Sequence, residues 1–172
     1  MTNFTGLFDY LKWNYNIKAS QVVQILDDFP ELALQNRRDL IHKKFTLIKA
    51  NRQGLTDTYL RNLFKRHPDL FMRSYASMEA KINYIKRNLN RPLQQEKAFP
   101  LLLHYNYREV IWPRGELLLA QGIRDYELSE AFGGSDEEFC KKFKIAPESL
   151  KQKKESRPTL EEKDRLWVYV AT

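Results

Sequence analysis

Seven basic residues recur at fixed distances behind three prolines. Arg38 and Arg108 stand eight residues after Pro30 and Pro100. Lys43 and Lys81 stand thirteen after Pro30 and Pro68, and Arg114 one place further behind Pro100. Lys49 and Arg87 stand nineteen after Pro30 and Pro68. Cations that return at one place in successive stacked units form a stripe, which suits a phosphate backbone. Arginine can grip an oxygen pair through parallel N–H donors, and lysine acts as a point charge. The seven are therefore candidate nucleic-acid-binding residues. Taken singly, each reads more readily as the solvated face of an amphipathic helix; the shared register sets the group apart from Lys65, Arg66, Arg73 and Arg91, which have no counterparts in the other units.

Other chemistry is weakly signalled. Tyr105, Tyr107 and Trp112 offer rings for base stacking, but helical aromatics more often pack in cores, and Trp112 is expected there. His42, His67 and His104 show no convergent spacing, so no metal site is expected. Cys140, beside Phe139, reads as a small buried residue rather than a nucleophile. No glycine-rich phosphate loop and no local carboxylate–histidine constellation appears. The chain reads as a non-enzyme, with no catalytic residues and no cofactor.

Composition frames the partner. The 172 residues suit one domain, with 42% apolar residues for a core and 30% charged residues for its surface. The longest apolar runs, such as Leu101 to Leu103, fall far below the roughly 20 residues that cross a bilayer, so no membrane insertion is expected. The lone Cys140 cannot form an internal disulfide, which fits a reducing compartment. Net charge is +7 with a pI near 9.4. The charge is uneven: residues 1–126 carry 20 Lys and Arg against 12 Asp and Glu, residues 127–172 only 9 against 10. A basic region on a folded domain is the electrostatic footprint of a nucleic-acid binder. The opening "MTNFTGLFDYLKWNY" reads as helix rather than as a targeting segment.

The elements that must position the stripe follow from the same prolines. Pro30, Pro68 and Pro100 are spaced by 38 and 32 residues, a helical-repeat period. Leu32, Leu70 and Leu102 lie two residues after them and Leu40, Met78 and Val110 ten after. Phe45 and Ile48 correspond to Ile82 and Ile85, and to Leu117. In the first unit, Val22, Ile25, Leu26 and Phe29 predict a helix capped by Ser20 and stopped by Pro30. A second helix, capped by Asn36 or Asp39, has Leu40, Ile41, Phe45 and Ile48 as its inner stripe. The second unit repeats this grammar, with Thr56 or Asp57 and then Ser74 as caps. The third opens with a short polar helix over "RPLQQEKAF" and places Pro113 near the start of its second helix. Phe4 to Tyr15 reads as the second half of a preceding unit. Residues 1–126 thus hold about three to three and a half units. Residues 127–172 hold a capping helix introduced by Gly133-Gly134 and Ser135, a solvated connector "KQKKESRP", and a tail, "TLEEKDRLWVYVAT", that suits a helix or a strand.

The leucine/phenylalanine, proline, leucine register resembles the repeat of the mitochondrial transcription termination factor (mTERF) family, in which two α-helices flank a tight helical turn carrying a proline. "VIWPRGELLL" is similar to the Pro-Arg segment that begins the last long helix of such proteins, and "GGSDEEFCKKF" to their Ser-Asp-Glu-x-Phe element. The resemblance covers roughly residues 4 to 145. It implies an all-α helical-repeat solenoid with a basic concave side that binds double-stranded DNA or structured RNA such as rRNA, in the mitochondrial matrix or, as the second choice, in chloroplasts. The roles it implies are transcription regulation and assembly of the mitochondrial ribosome. This chain has fewer units than full-length members, which points to an alternative: a scaffold subunit of an organelle ribosome or other large complex, held by protein partners.

Overall fold

The computed structural model describes residues 16–28, 38–73, 75–94 and 96–156, with positions 9, 12 and 13 in addition. It is all-α, with no strand among the described residues. Pro30, Leu32, Asn36, Ser74, most of the expected N-terminal half-unit and the tail from residue 157 lie outside the described residues, as do the side chains of Arg38, Leu40 and Ile41. The chain divides into two compact units, Met1–Tyr75 and Ala76–Thr172.

The first unit contains α1 (Ala19–Asp28), α2 (Arg38–Asn51), α3 (Asp57–Arg66) and α4 (Pro68–Met72). Ser20 is not the cap of α1. It lies inside the helix, and the side-chain oxygen of Gln21 accepts from the Lys18 N–H at 3.0 Å instead. Asp39 likewise falls inside α2. Thr56 caps α3 as expected, its hydroxyl accepting from the Tyr59 N–H at 3.1 Å, with Asp57 at the positive end of the helix. Pro68 opens α4 where its missing N–H costs nothing. The core contains a triangle of Phe45, Phe64 and Phe71, with centroids 4.7–6.1 Å apart in tilted pairs, and Val22, Ile48, Leu60 and Leu70 are also fully buried.

The second unit begins along α5 (Tyr75–Asn83), which continues into a π-turn, Tyr84–Asn88. A 3-10 turn (Leu101–His104) follows. A second π-turn (Tyr107–Ile111) then leads directly into α6 (Trp112–Ala120), and α7 (Leu128–Phe132), α8 (Asp136–Phe143) and α9 (Pro147–Glu155) complete it. The element bounds reproduce the proline spacing. Runs 75–88 and 107–120 are offset like Pro68 and Pro100, and α1 and α3 like Pro30 and Pro68.

Two expectations are corrected here, and a third is refined. The helix over "RPLQQEKAF" does not form; its described residues run through irregular backbone and turns. The segment offers two large apolar anchors, Leu93 and Phe99, both buried, and six residues apart they fall on different faces of a 3.6-residue helix. Pro113 is the second residue of α6, near the start of that helix as expected; the π-turn that runs directly into it begins at Tyr107, capped by the Asn106 side chain, which accepts from the Glu109 N–H at 2.9 Å. The N–H groups of Val110 and Ile111 both reach Asn106 O, and that of Trp112 reaches Tyr107 O. The widened turn places the N–H that Pro113 lacks at the changeover from π to α bonding. Finally, most of the "connector" is helix: Leu150 is buried, α9 packs on α6, and the Lys153 ammonium lies 5.9 Å from the Trp112 ring centroid.

The helical runs 75–88 and 107–120 approach closely at Gly115. A Cβ there would stand 2.5 Å from the Tyr84 hydroxyl oxygen. That hydroxyl donates to Glu116 Oε2 at 2.8 Å, and the Tyr84 ring meets Tyr107 edge-on at 5.7 Å. Burial, reinforced by the Glu116 carboxylate, pushes the Tyr84 phenol well above its ordinary value and keeps it a donor. Ser135 caps α8 as expected, in a reciprocal capping box with Glu138.

Candidate nucleic-acid interface

The expected stripe separates into two classes of cation. Lys43 is exposed on α2. Lys49 is exposed near the end of the same helix and pairs with Asp57 at 3.2 Å, a solvent-screened contact worth about 0–1 kcal/mol that a phosphate can replace. Arg87 is exposed in the first π-turn, at the end of a groove of about 260 Å³ whose lining includes Glu79, Asn83 and Asn88. Arg108 is half-buried in the second π-turn. Arg38 begins α2, and its side chain lies outside the described residues.

Lys81 and Arg114 leave the stripe, being 0% and 2% exposed. Lys81 donates to Leu103 O at 2.9 Å. Arg114 donates to the carbonyls of Ala131, Gly133 and Gly134 at 3.0–3.1 Å and to Asp136 Oδ1 at 3.0 Å, with its guanidinium 5.0 Å from the Phe139 ring centroid. Neither can reach a phosphate while it holds these partners. A third buried cation, Lys44, donates to Phe71 O at 2.6 Å. Burial lowers its pKa to about 8.

These three contacts are one device. Phe71 and Leu103 each stand three residues after a repeat proline, and Ala131 stands three after Leu128. Phe71 and Ala131 are the fourth residues of the five-residue helices α4 and α7, and Leu103 lies in the 3-10 turn that replaces such a helix. Helices this short leave most of their carbonyls without an intrahelical partner and gather negative potential at the C-terminal end. A cation from an earlier helix, Lys44 on α2, Lys81 on α5 and Arg114 on α6, satisfies both needs. The signal was present in the sequence: Lys81 lies between Met78 and Ile85, and Arg114 between Ile111 and Leu118, at three- and four-residue spacings within the apolar stripe.

Around Asp136 the device widens into a charge cluster in which Lys154 pairs with both Asp136 and Glu109. Burial works against the Asp136 carboxylate, but the hydrogen bonds from Lys154 and Arg114 outweigh it and hold its pKa below the ordinary value. Cys140 is 5% exposed beside this cluster, and burial pushes its thiol up, as suits a packed residue rather than a nucleophile. Tyr107 is buried, whereas Tyr105 and Trp112 are half-buried.

A family model settles the family. The mTERF model matches residues 2–140, four-fifths of the chain and every repeat described above. The chain belongs to the mTERF family. This is a helical-repeat family, generally of nucleic-acid-binding organelle proteins. Neither a curated protein nor a solved structure shows significant similarity to the chain. No helix among the described residues of this mTERF protein is long and apolar enough to cross a membrane. Register alone missed the distinction between cations that hold its units and cations that face solvent.

Proposed function

We propose that this mTERF-family protein is a non-enzymatic mitochondrial factor of gene expression. It binds duplex DNA or structured RNA through the sugar-phosphate backbone. The observation that carries the reading is the exposure of Lys49 and Arg87 at the same position behind successive prolines, with Lys43 exposed on the helix of Lys49 and Arg108 half-buried in the second π-turn. Long cations on helix surfaces neutralise phosphates and release counterions without reading base edges.

The test is binding of the full chain to a duplex DNA and to a hairpin RNA at low and at physiological salt. The expected result is binding that weakens by orders of magnitude as salt rises. Absence of binding to either, or binding indifferent to salt, sinks the reading. The burial of Lys81 and Arg114 favours one rival, a scaffold subunit of an organelle ribosome or other large complex, because it leaves fewer cations for phosphate. Stability of the chain only alongside protein neighbours is what that rival requires.

A further inference from the structure

The repeat breaks where the third unit lacks its first helix, and a cleft opens there in the second compact unit. Leu89 to Leu93 run as a loop, with Asn90 in the left-handed region at φ 54°. From this loop Arg91 reaches the segment that follows α6. Its Nη2 donates to Arg124 O and Tyr126 O, both at 2.7 Å, and its guanidinium lies 4.3 Å from the Tyr126 ring centroid. The group is clamped by one nitrogen and one face. Its remaining donors, Nε and Nη1, have no hydrogen-bond partner among the described residues.

Between the two segments lies a cleft of about 150 Å³. Leu89, Leu119 and Ile123 form its apolar part, and Asn90, Arg91 and Arg124 its polar part; no carboxylate lines it. Arg124 is exposed and makes no ion pair among the described residues. The cleft is smaller than the roughly 300–1,000 Å³ of pockets that enclose drug-sized ligands, which suits a phosphate group rather than a whole nucleotide. Burial pushes the Tyr126 phenol up while Arg91 and Arg124 pull it down, in keeping with a positive potential there. Two guanidinium groups around a carboxylate-free recess repel one another, and an oxyanion between them relieves that repulsion while gaining charge-assisted hydrogen bonds.

We infer that this cleft takes a phosphate group of a nucleic-acid backbone, with Arg91 as a fixed donor and Arg124 as the arm that closes on it. The inference rests on the nucleic-acid reading above and adds a contact outside the proline register.

Two probes separate the failures. Salt-dependent binding of duplex DNA and hairpin RNA is measured for wild type, Arg124→Ala and Arg124→Lys, and inorganic pyrophosphate is titrated into the wild-type chain while amide NMR signals are followed. Arg124→Ala is expected to lower the slope of log K against log salt by about one, with Arg124→Lys retaining it. Pyrophosphate is expected to shift the amides of Asn90, Ile123 and Tyr126, and Arg124→Ala to abolish those shifts. An unchanged slope together with unshifted amides overturns the inference. Shifted amides without polynucleotide binding uphold the phosphate cleft and sink the nucleic-acid reading.

Discussion

At Lys81 a flexible side chain brings its ammonium to the Leu103 carbonyl; at Arg114 a planar fork meets three carbonyls and a carboxylate. Both are buried cations on a long helix that close the short element of the next repeat. The difference lies in what that element presents. The 3-10 turn after Pro100 offers Lys81 the Leu103 carbonyl. The Gly133-Gly134 turn after α7, with Gly134 at φ 71°, offers several oxygens around one plane, which suits a guanidinium and not an ammonium. Similar positions in the repeat thus carry joints of unequal strength, and the chain's basic residues are divided between holding repeats and facing solvent.

Arg114→Ala tests the stronger joint. It leaves three carbonyls without the guanidinium and Asp136 with Lys154 alone, and is expected to cost about 3–5 kcal/mol, lowering the thermal midpoint by roughly 10 °C or more. Arg114→Lys should recover only part of this, because an ammonium cannot span the fork. Lys81→Met is expected to cost less, about 1–3 kcal/mol, since it strands one carbonyl and removes a buried charge at once. Denaturant titration of both variants breaks the contrast if Lys81→Met proves as costly as Arg114→Ala.

Two smaller effects sharpen the comparison through pH. Asp136→Asn should cost less than about 1 kcal/mol at neutral pH, since the carboxylate is 44% exposed and solvent screens its pairs. Asp136 has a native pKa below its unfolded value, so its contribution is present above the carboxylate range and fades as pH falls through it. The stability gap between wild type and Asp136→Asn should therefore close in acid. Lys44 behaves oppositely. Its native pKa of about 8 lies below its ordinary 10.5, so the unfolded chain binds the extra proton between these values and stability rises with pH across that window. Wild type should gain on Lys44→Met between pH 8 and 10.5, read as the difference in thermal midpoint; a gap that shrinks there contradicts the burial of Lys44.

Much of this fold was legible because it repeats. The spacing of Pro30, Pro68 and Pro100 is the spacing of the helices, and Thr56 and Ser135 are caps where capping residues precede acidic first turns. Apolar register also placed Leu70 and Leu102 in the core. What failed did so for local reasons. Helix propensity over "RPLQQEKAF" had no continuous apolar face behind it. Pro113 stands near a helix start as its type implies, but the π-turn before it went unread because it is invisible to a 3.6-residue period. Lys81 and Arg114 were assigned to the stripe by charge, although their neighbours at three and four residues are core positions. Arg91 and Arg124 come together only through loop geometry, which no period reports.

The division of cations is tested most directly by one measurement, the slope of log K against log salt for polynucleotide binding. It compares wild type with the Lys43→Ala, Lys49→Ala, Arg87→Ala, Arg108→Ala combination, and with Lys81→Met under conditions where that variant is folded. The fourfold change should lower the slope by roughly three to four on duplex DNA, at ~0.9 for each phosphate no longer neutralised, while Lys81→Met leaves it unchanged. A slope that survives the fourfold change, or falls with Lys81→Met alone, contradicts the account.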